Sequence, residues 1–379
     1  MRTIAAVLLS LFTLPLLAGA KLSVGADFLN SVDPLISYPR AIRVFNDGPD
    51  AARNVVVAMT LPPGAHYDVD DANGWSCTAL VCTIDTIAPH TTSEIRGHFS
   101  FDASTIGQAL TIPIAVSASN GGADFPFALR AVVRNLYPVT TTADSGAGSL
   151  RDAIASLNAS CVRECRIDFD LRAGSVIEPL TPLPDITACV PVYIGPGPVI
   201  EVSGANLSTG HGLVYRATCR DDVTYQSPLL WIRDLAVNRF PWNGIHVAHG
   251  HLVCEGCLLS GNRGRGLSVD DPDSFVTIRQ SVFGANGRSG LFAWSARQVR
   301  IETSTFDRSR SSGIFVRTGS ILVAQSTISN SGDFGIAVGG PASMVAFANT
   351  MQHNGVQDID YFLDGPTFHA PAMPDVPEL

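Results

Sequence analysis

Residues 262–267 read NRGRGL and residues 286–291 read NGRSGL, so the same glycine-leucine ending returns after 24 residues. A glycine followed by an aliphatic residue recurs at steps of 22 to 24 residues, at 244–245, 266–267, 290–291, 313–314 and 335–336, with Asp358-Ile359 as a sixth member. Four units also carry an apolar strand-like run, at 276–278, 299–301, 321–323 and 345–347. This period, with strands in each unit, predicts a parallel β-helix. A leucine-rich repeat has a similar period, but its fixed leucines and its helical half are missing.

Side chains along each strand of such a coil alternate between the core and the outside. If the aliphatic residue after each glycine points inward, so does the residue two positions later, and these residues are Val247, Val269, Ala293, Val316 and Val338. Two outer columns then follow, one of His246, Ser268, Phe292, Phe315 and Ala337, the other of Ala248, Asp270, Trp294, Arg317 and Gly339. Because stacked coils lie about 4.8 Å apart, Phe292, Trp294, Phe315 and Arg317 are predicted to form one patch.

The predicted patch has two explanations. Flat aromatic faces stack on sugar rings, whose hydroxyl groups bond to nearby polar side chains, so the patch is a candidate glycan-binding surface. Alternatively, the patch packs on a loop, on the C-terminal tail or on the first domain.

Arginines recur in the turn that precedes each repeated glycine. Six of them lie within five residues upstream of a glycine, namely Arg239, Arg263, Arg265, Arg288, Arg308 and Arg310. Stacking would align them as a basic stripe, and guanidinium groups bind carboxylates and sulfates in bidentate fashion, so an acidic glycan is a predicted partner. The alternative is that they are solvated turn residues paired with Asp234, Glu255 or Asp307.

The first part of the chain, residues 21–136, consists of short alternating apolar runs separated by turn sequences. Runs such as 41–45, 54–59 and 110–116, with turns such as Asn46-Asp47-Gly48-Pro49, predict an antiparallel β-sandwich. The segments Phe45-Asn46-Asp47-Gly48-Pro49, Leu61-Pro62-Pro63-Gly64 and Gly74-Trp75-Ser76-Cys77 resemble the bacterial immunoglobulin-like repeats of exported proteins. That resemblance implies a spacer or adhesive module without catalysis.

A short amphipathic helix is predicted after Ser149, a favourable N-cap, because Leu150, Ile154 and Leu157 recur at helical spacing. The string from Asp144 to Ile154 resembles the opening of exported right-handed parallel β-helix proteins of the pectin-lyase-like type. In that family the helix covers the open end of the solenoid, which would otherwise expose strand edges and core.

The pectin-lyase-like resemblance implies either a lyase, with Arg or Lys beside bound calcium, or a hydrolase with paired carboxylates. Lysine is excluded because Lys21 is the only lysine of the chain. The candidates for an arginine lyase are Asp270, Asp271 and Asp273 as calcium ligands, with Arg288 or Arg297 nearby, and Asp270, Asp271 and Arg288 are the candidates for catalysis. A hydrolase needs carboxylates on both sides of a sugar, and no second acid stands opposite Asp270. Because no catalytic motif is present, binding without cleavage is favoured.

The first residues predict export. Residues 1–20 hold one arginine, an apolar run and the small-residue sequence Ala18-Gly19-Ala20, which is typical of a cleaved signal peptide. A membrane anchor is the alternative, but Pro15 interrupts the short apolar run. A secreted or periplasmic location without a membrane span is therefore expected.

The eight cysteines fall into pairs. Close spacing joins Cys77 with Cys82, Cys161 with Cys165 and Cys254 with Cys257, which leaves Cys189 with Cys219. An even number in an exported chain favours disulfides over free thiols. A redox role or a zinc site at Cys254 and Cys257 is disfavoured, since the pair lies in a strand-like run and no second pair has the required spacing.

These observations together predict an all-β protein with a cleaved signal peptide (1–20), an immunoglobulin-like β-sandwich (21–136), a right-handed parallel β-helix (137–365) capped by a short helix, and a proline-rich tail (366–379). The net charge of −9 argues against a nucleic-acid partner. The predicted function is the binding of a polysaccharide or cell-surface glycan by a monomer that needs no cofactor, calcium being the one candidate. The alternatives are a polysaccharide lyase or glycoside hydrolase of the same fold, and a structural stalk or adhesin segment.

Overall fold

The computed structural model describes residues 19–27, 29–123, 127–195, 199–219 and 228–362. Residues 1–18 of the predicted signal peptide and the whole predicted tail lie outside the described residues. The chain divides into two compact units, Met1–Val133 and Arg134–Leu379. The predicted limit at residue 136 falls inside a strand, Asn135–Val139, that pairs in parallel with Cys165–Phe169 of the second unit.

The first unit forms one hydrogen-bonded sheet of eleven strands, in which most neighbours are antiparallel. A short 3-10 helix at Ala103–Thr105 separates β8 from β9, and the strands are β1 (Ala20–Ala26), β2 (Asn30–Val32), β3 (Tyr38–Asn46), β4 (Ala52–Met59), β5 (Ala65–Asp71), β6 (Ser76–Thr78), β7 (Val81–Ile87), β8 (Thr91–Phe101), β9 (Ala109–Ala118), β10 (Gly121–Ala123) and β11 (Phe127–Val133). Buried and exposed residues alternate along β9, as expected of a strand with one face in the core. The predicted strand runs at 41–45, 54–59 and 110–116 lie within β3, β4 and β9.

The second unit begins with β12 (Asn135–Val139) and helix α1 (Leu150–Ser160). The Ser149 side chain accepts a hydrogen bond from the Asp152 amide at 3.2 Å, which makes it the N-cap of α1. Leu150, Ile154 and Leu157 are buried in the solenoid core. The predicted capping helix is therefore confirmed.

Three parallel sheets with nine, eight and seven strands make up the solenoid, which therefore has about eight coils. Sheet I comprises β12, β13 (Cys165–Phe169), β15 (Val192–Ile194), β18 (Leu229–Arg233), β21 (His251–Glu255), β24 (Phe275–Arg279), β27 (Gln298–Glu302), β30 (Ser320–Ala324) and β33 (Ser343–Phe347). Sheet II comprises β14 (Val176–Ile177), β16 (Ile200–Ser203), β19 (Leu235–Asn238), β22 (Leu258–Ser260), β25 (Val282–Gly284), β28 (Thr305–Asp307), β31 (Thr327–Ser329) and β34 (Thr350–Gln352). Sheet III comprises β17 (Leu213–Arg216), β20 (Ile245–His249), β23 (Leu267–Val269), β26 (Leu291–Ala293), β29 (Ile314–Val316), β32 (Phe334–Gly339) and β35 (Gln357–Phe362).

Each regular coil visits sheets I, II and III in that order, and the glycine-aliphatic pair of the sequence marks the entry into sheet III. The predicted inner residues Val247, Val269, Ala293, Val316 and Val338 all have 0% exposure. The prediction of an inward-facing column is therefore confirmed.

Two recurring devices shape the corners of the coil. Between sheets I and II, six successive coils have a residue with a left-handed backbone. In one coil it is Gly256, with φ 65°, and in the other five, with φ between 48° and 56°, it is not glycine: Asp234, Gln280, Thr303, Gln325 and Ala348. Before sheet III, buried asparagines such as Asn262 and Asn286 donate from Nδ2 to the carbonyls of Val237 (3.1 Å) and Leu259 (2.9 Å) of the preceding coil. These bonds tie each corner to its neighbour, so successive strands of sheet III start in register.

Four disulfides join the pairs that the cysteine spacing predicted, Cys77–Cys82, Cys161–Cys165, Cys189–Cys219 and Cys254–Cys257. Disulfides persist in oxidising compartments, so their number indicates an extracellular or periplasmic protein. Across the described ranges, no helix is both long enough and apolar enough to span a membrane.

Candidate functional site: the outer face of sheet III

The strand register of sheet III brings the predicted outer residues side by side. His246 pairs with Ser268, Ser268 with Phe292, Phe292 with Phe315, and Phe315 with Ala337. The backbone pairing continues beyond these strands, because the Trp294 and Arg317 amides donate to the carbonyls of Val269 and Ala293 of the preceding coil, each at 2.9 Å. The four residues of the predicted patch therefore lie on one surface.

Phe292 lies between two planar groups. Its ring stacks on Phe315 of the next coil, with centroids 4.7 Å apart and planes 9° from parallel. The guanidinium of Arg265, which comes from the preceding coil, lies 3.6 Å from the centroid of Phe292. Because one neighbour comes from each side along the solenoid axis, both faces of Phe292 are covered. Sugar stacking on a free face of Phe292, as the sequence suggested, is therefore not available.

A second ring stack, formed by two histidines, lies nearer the first coils on the same side. The rings of His211 and His246 are parallel within 14°, with centroids 4.8 Å apart. Between His246 and Phe292 the outer column holds only the small Ser268, and Arg265 of that coil covers Phe292 instead. We call the series His211, His246, Arg265, Phe292 and Phe315 the planar ladder.

Two tryptophans beside the planar ladder present exposed ring surface. Trp294 is 48% exposed, and Arg317 lies 3.7 Å from its ring centroid, which leaves the second face of the indole uncovered by that arginine. Trp242 is 51% exposed and meets His211 edge to face, with ring centroids 5.0 Å apart. Exposed indoles held by a neighbouring group have little freedom to lose on binding, so Trp242 and Trp294 are the rings best placed to stack on a flat ligand.

The six turn arginines do not behave alike. Arg239 pairs with Glu201 at 2.7 Å and Arg308 with Asp307 at 2.6 Å, as expected of solvated turn residues. Other arginines on this side have no carboxylate within 4.0 Å in the part of the chain that the structure describes: Arg263, Arg265, Arg288, Arg310 and Arg317. Burial lowers the pKa of Arg265, and the charge of Arg288 lowers it further. Arg265 nevertheless stays charged, because the unperturbed pKa of arginine is far above 7.

The two stacked histidines are neutral at pH 7. Burial lowers the pKa of His211 to about 4, and the neighbouring His246 adds to the effect. Burial also lowers the pKa of His246, although the Asp270 carboxylate, 3.7 Å from its Nδ1, opposes the shift. The ladder therefore offers imidazole rings without positive charge at this end.

The aspartates predicted as calcium ligands, Asp270, Asp271 and Asp273, do not share one environment. Asp270 is exposed and faces His246. Asp271 is buried, and its carboxylate accepts hydrogen bonds from the amides of Gly250 (2.8 Å) and Asp273 (3.0 Å). Asp271 therefore joins its turn to Gly250 of the preceding coil, and its candidate catalytic and calcium-binding roles stay predictions. No three His, Cys, Asp or Glu residues of the described ranges are grouped so that they could hold a metal ion.

Two residues of this site, His211 and Trp242, do not follow from the repeat pattern of the sequence. His211 precedes Gly212-Leu213, a glycine-aliphatic pair like the others, but 32 residues before Gly244 instead of 22 to 24. The longer coil conceals the repeat, although the dipeptide itself was a usable signal. Trp242 lies in a corner, where strand alternation gives no side-chain direction.

Comparison with known proteins supports the fold. Residues 224–366 match the family model described as a right handed beta helix region, so the parallel β-helix is right-handed. No curated protein is significantly similar to the chain.

Some solved structures resemble the chain weakly. The catalytic unit of a thermostable GH87 alpha-1,3-glucanase from Streptomyces thermodiastaticus has 15% identity and a TM-score of 0.38, over 83% of this chain and 67% of that one. The Agl-KA catalytic domain has 13% identity and a TM-score of 0.42, over 86% and 73%. A DUF4466 family protein from Parabacteroides merdae has 12% identity and a TM-score of 0.20, over 29% and 43%. Likeness at this level indicates no function.

Proposed function

We propose that the outer face of sheet III binds a polysaccharide or cell-surface glycan and does not cleave it. The observation that carries this proposal is Trp294, half exposed, fixed by Arg317 and standing beside the planar ladder. A rigid indole surrounded by hydrogen-bond donors matches a sugar ring, which has an apolar face and a rim of hydroxyl groups. Trp242 supplies a second such ring in the corner that precedes β20 of this sheet.

The arrangement of carboxylates favours binding over hydrolysis. Glycoside hydrolysis in most families needs two carboxyl groups on opposite sides of the scissile bond. Asp270 is one exposed carboxylate of the face, but Asp185, which also influences the pKa of His246, is paired with Arg216 at 3.0 Å. The carboxylate of Asp185 is therefore already engaged by a guanidinium instead of standing free to meet a sugar.

We further propose the organisation that the sequence predicted. The first unit is an immunoglobulin-like module (21–136) that displays the pectin-lyase-like β-helix (137–365), preceded by a cleaved signal peptide (1–20) and followed by a proline-rich tail (366–379). The four disulfides support export, since such bonds persist outside the cytoplasm. N-terminal sequencing of the protein secreted by its host would test the signal peptide.

The test of binding is retention of the purified protein on a panel of immobilised neutral and acidic polysaccharides. Trp294→Ala should lower retention at least tenfold, because it removes the exposed ring. The matched control is Phe275→Ala, which removes an exposed ring on sheet I that also lies near an arginine, Arg297, at 5.3 Å. Equal loss in both variants, or no loss in Trp294→Ala, would reject the site. Retention on no polysaccharide would favour the structural stalk or adhesin segment.

Cleavage is a second candidate because Asp270 lies exposed beside a neutral histidine, His246. A neutral imidazole next to a carboxylate is suited to proton transfer. The same incubations, with and without calcium, should be followed by reducing-end assay and by absorbance of unsaturated products. New ends that disappear in Asp270→Asn would establish an enzyme and replace the binding proposal.

A further inference from the structure

We infer that Arg265 and Arg288 form a subsite for an anionic substituent of the glycan, a carboxylate or a sulfate ester. The inference rests on the proposed function and names the class of glycan that the face selects. Arg265 lies in the corner before β23, and Arg288 occupies the corresponding corner one coil later. Their backbones are therefore about one coil spacing, 4.8 Å, apart along the solenoid axis, and Arg288 is close enough to lower the pKa of Arg265 further after burial has lowered it.

Arg265 is partly withdrawn from water, and a bound anion would offset the cost of that burial. Its guanidinium is half buried against Phe292, and the nearby Arg288 repels it. Among the described residues, no carboxylate comes within 4.0 Å of either guanidinium. Proteins seldom leave a desolvated charge without a partner, because the water lost on burial must be replaced by an opposite charge or by hydrogen bonds.

The ring contact prepares Arg265 for an oxyanion. Stacking on Phe292 fixes the guanidinium plane and leaves its N–H groups at the edge, where a carboxylate or sulfate accepts two parallel hydrogen bonds. Arg288 is exposed and able to contribute a second set of donors from the next coil. Two arginines from successive coils suit an acidic substituent that projects towards the ladder from a sugar held at Trp294.

The carboxylate of Asp270 would favour one orientation of an acidic glycan on this face. Asp270 raises the pKa of Arg265, so its carboxylate lies within electrostatic range, yet it makes no ion pair with that arginine. Asp270 instead faces His246, on the side of the first coils. An anionic group is therefore attracted to the Arg265 and Arg288 end and repelled from the Asp270 end, so an acidic chain is held in one register.

The experiment measures affinity of the folded protein for three soluble probes at low salt: dextran sulfate, polygalacturonate and unmodified dextran. We expect binding to at least one acidic probe to be tenfold or more tighter than to dextran, and we expect that excess to shrink as salt is added. Arg265→Gln and Arg288→Gln should each reduce the excess at least fivefold. Arg265→Lys, which keeps the charge but loses the planar stack, should fall between the parent protein and Arg265→Gln.

The matched control is Arg300→Gln on sheet I, where the arginine is bonded to Glu302. Binding of all probes should be unchanged in this variant. Equal affinity of the parent for dextran and for both acidic probes, with Trp294→Ala still abolishing binding, would overturn the anion subsite and leave the proposed function intact. Loss of the excess in Arg300→Gln as well would show a general charge effect and also overturn the subsite. Binding of no probe would overturn the proposed function itself.

Two outcomes separate the possible sources of the anion. Tighter binding of dextran sulfate alone assigns the subsite to sulfate esters, and tighter binding of polygalacturonate alone assigns it to uronic acids. If Arg265→Gln proves less stable than the parent in thermal unfolding, Arg288→Gln decides the question, because Arg288 is exposed and lies on none of the aromatic rings of the described ranges.

Discussion

Sheets I and III belong to the same coils, but arginines on their outer faces have different partners. On sheet I, Arg279 bonds to Glu302 of the next coil at 2.9 Å, and Arg300 bonds to the same carboxylate. On sheet III, Arg265 and Arg317 lie on aromatic rings, and the described residues bring no carboxylate within 4.0 Å of either. Arg216, in the first strand of sheet III, is paired with Asp185 at 3.0 Å, so the arginines of this sheet that lack a carboxylate among the described residues belong to the later coils.

The difference distinguishes the contacts that the fold needs from those that the proposed binding needs. Strand pairing is alike on both faces, so the fold does not require the arrangement on sheet III. Arg279 and Arg300 of sheet I share the Glu302 carboxylate, whereas Arg265 and Arg317 have aromatic rings as neighbours. Strand pairing therefore does not explain the half-exposed tryptophans or the arginines that lack a carboxylate among the described residues.

The largest expected effect comes from breaking the planar ladder. Phe292→Ala removes the ring that supports Arg265 and contacts Phe315, so the free energy of unfolding should fall by about 2–3 kcal/mol and glycan retention should be lost. Thr277→Ala, at an outer position of sheet I, should change stability by less than about 1 kcal/mol. Urea unfolding of both variants checks this. Similar losses would show that the two faces contribute equally to stability.

Acid should weaken the sheet III face through its buried histidine. The pKa of His211 is about 4 in the folded protein, and the ordinary value near 6.5 applies to the unfolded chain. The unfolded chain therefore binds more protons between these values, so stability is lost as the pH falls from 6.5 to 4, by about 1–3 kcal/mol. Urea unfolding at pH 7 and pH 4.5 should show a smaller pH difference in His211→Gln than in the parent. An unchanged difference would contradict the prediction.

A smaller effect is expected at Asp270. Asp270→Asn removes the negative charge near Arg265 and His246, so retention of acidic glycans should rise about twofold to fivefold while retention of neutral glycans stays the same. The measurement is the ratio of the two affinities in parent and variant. A fall for both kinds of glycan would instead place Asp270 in contact with the sugar.

The smallest effect is expected on sheet I. Glu302→Gln leaves Arg279 and Arg300 without their carboxylate, and partly exposed ion pairs of this kind stabilise by about 0.5–1 kcal/mol. The loss should vanish in concentrated salt, which screens the pair in the parent protein. Glycan retention should remain at the parent level. Reduced retention would extend the binding surface to sheet I and weaken the contrast between the faces.

The solenoid was predictable from sequence because a coil imposes the same local rule in every repeat. The glycine-aliphatic pairs fixed the direction of each strand residue, so the neighbours Phe292 and Phe315 followed from alternation alone. The covering of Phe292 by Arg265 did not follow, because a long side chain in a turn has many rotamers and its position depends on the small Ser268 beside it. His211 was hidden by an irregular coil.

The partners of the charged candidate residues could not be predicted from the sequence either. Arg308 and Arg310 stand two residues apart in one turn, yet only Arg308 meets a carboxylate, that of Asp307. Asp270 and Asp271 are adjacent, yet one is exposed and the other accepts hydrogen bonds from the backbone. Such differences are set by the direction of individual side chains at irregular corners, where no period applies.

The left-handed corner residues between sheets I and II limit how this molecule can change in length. Five coils turn at such a residue that is not glycine, for example Gln280, Thr303 or Gln325, and each costs on the order of 1 kcal/mol that the neighbouring coils must offset. An insertion of a few residues at a corner displaces it from the column, whereas duplication of a whole coil reproduces it. The outer face of sheet III can therefore be lengthened or shortened only by whole coils, each of which adds about 4.8 Å of surface along the axis.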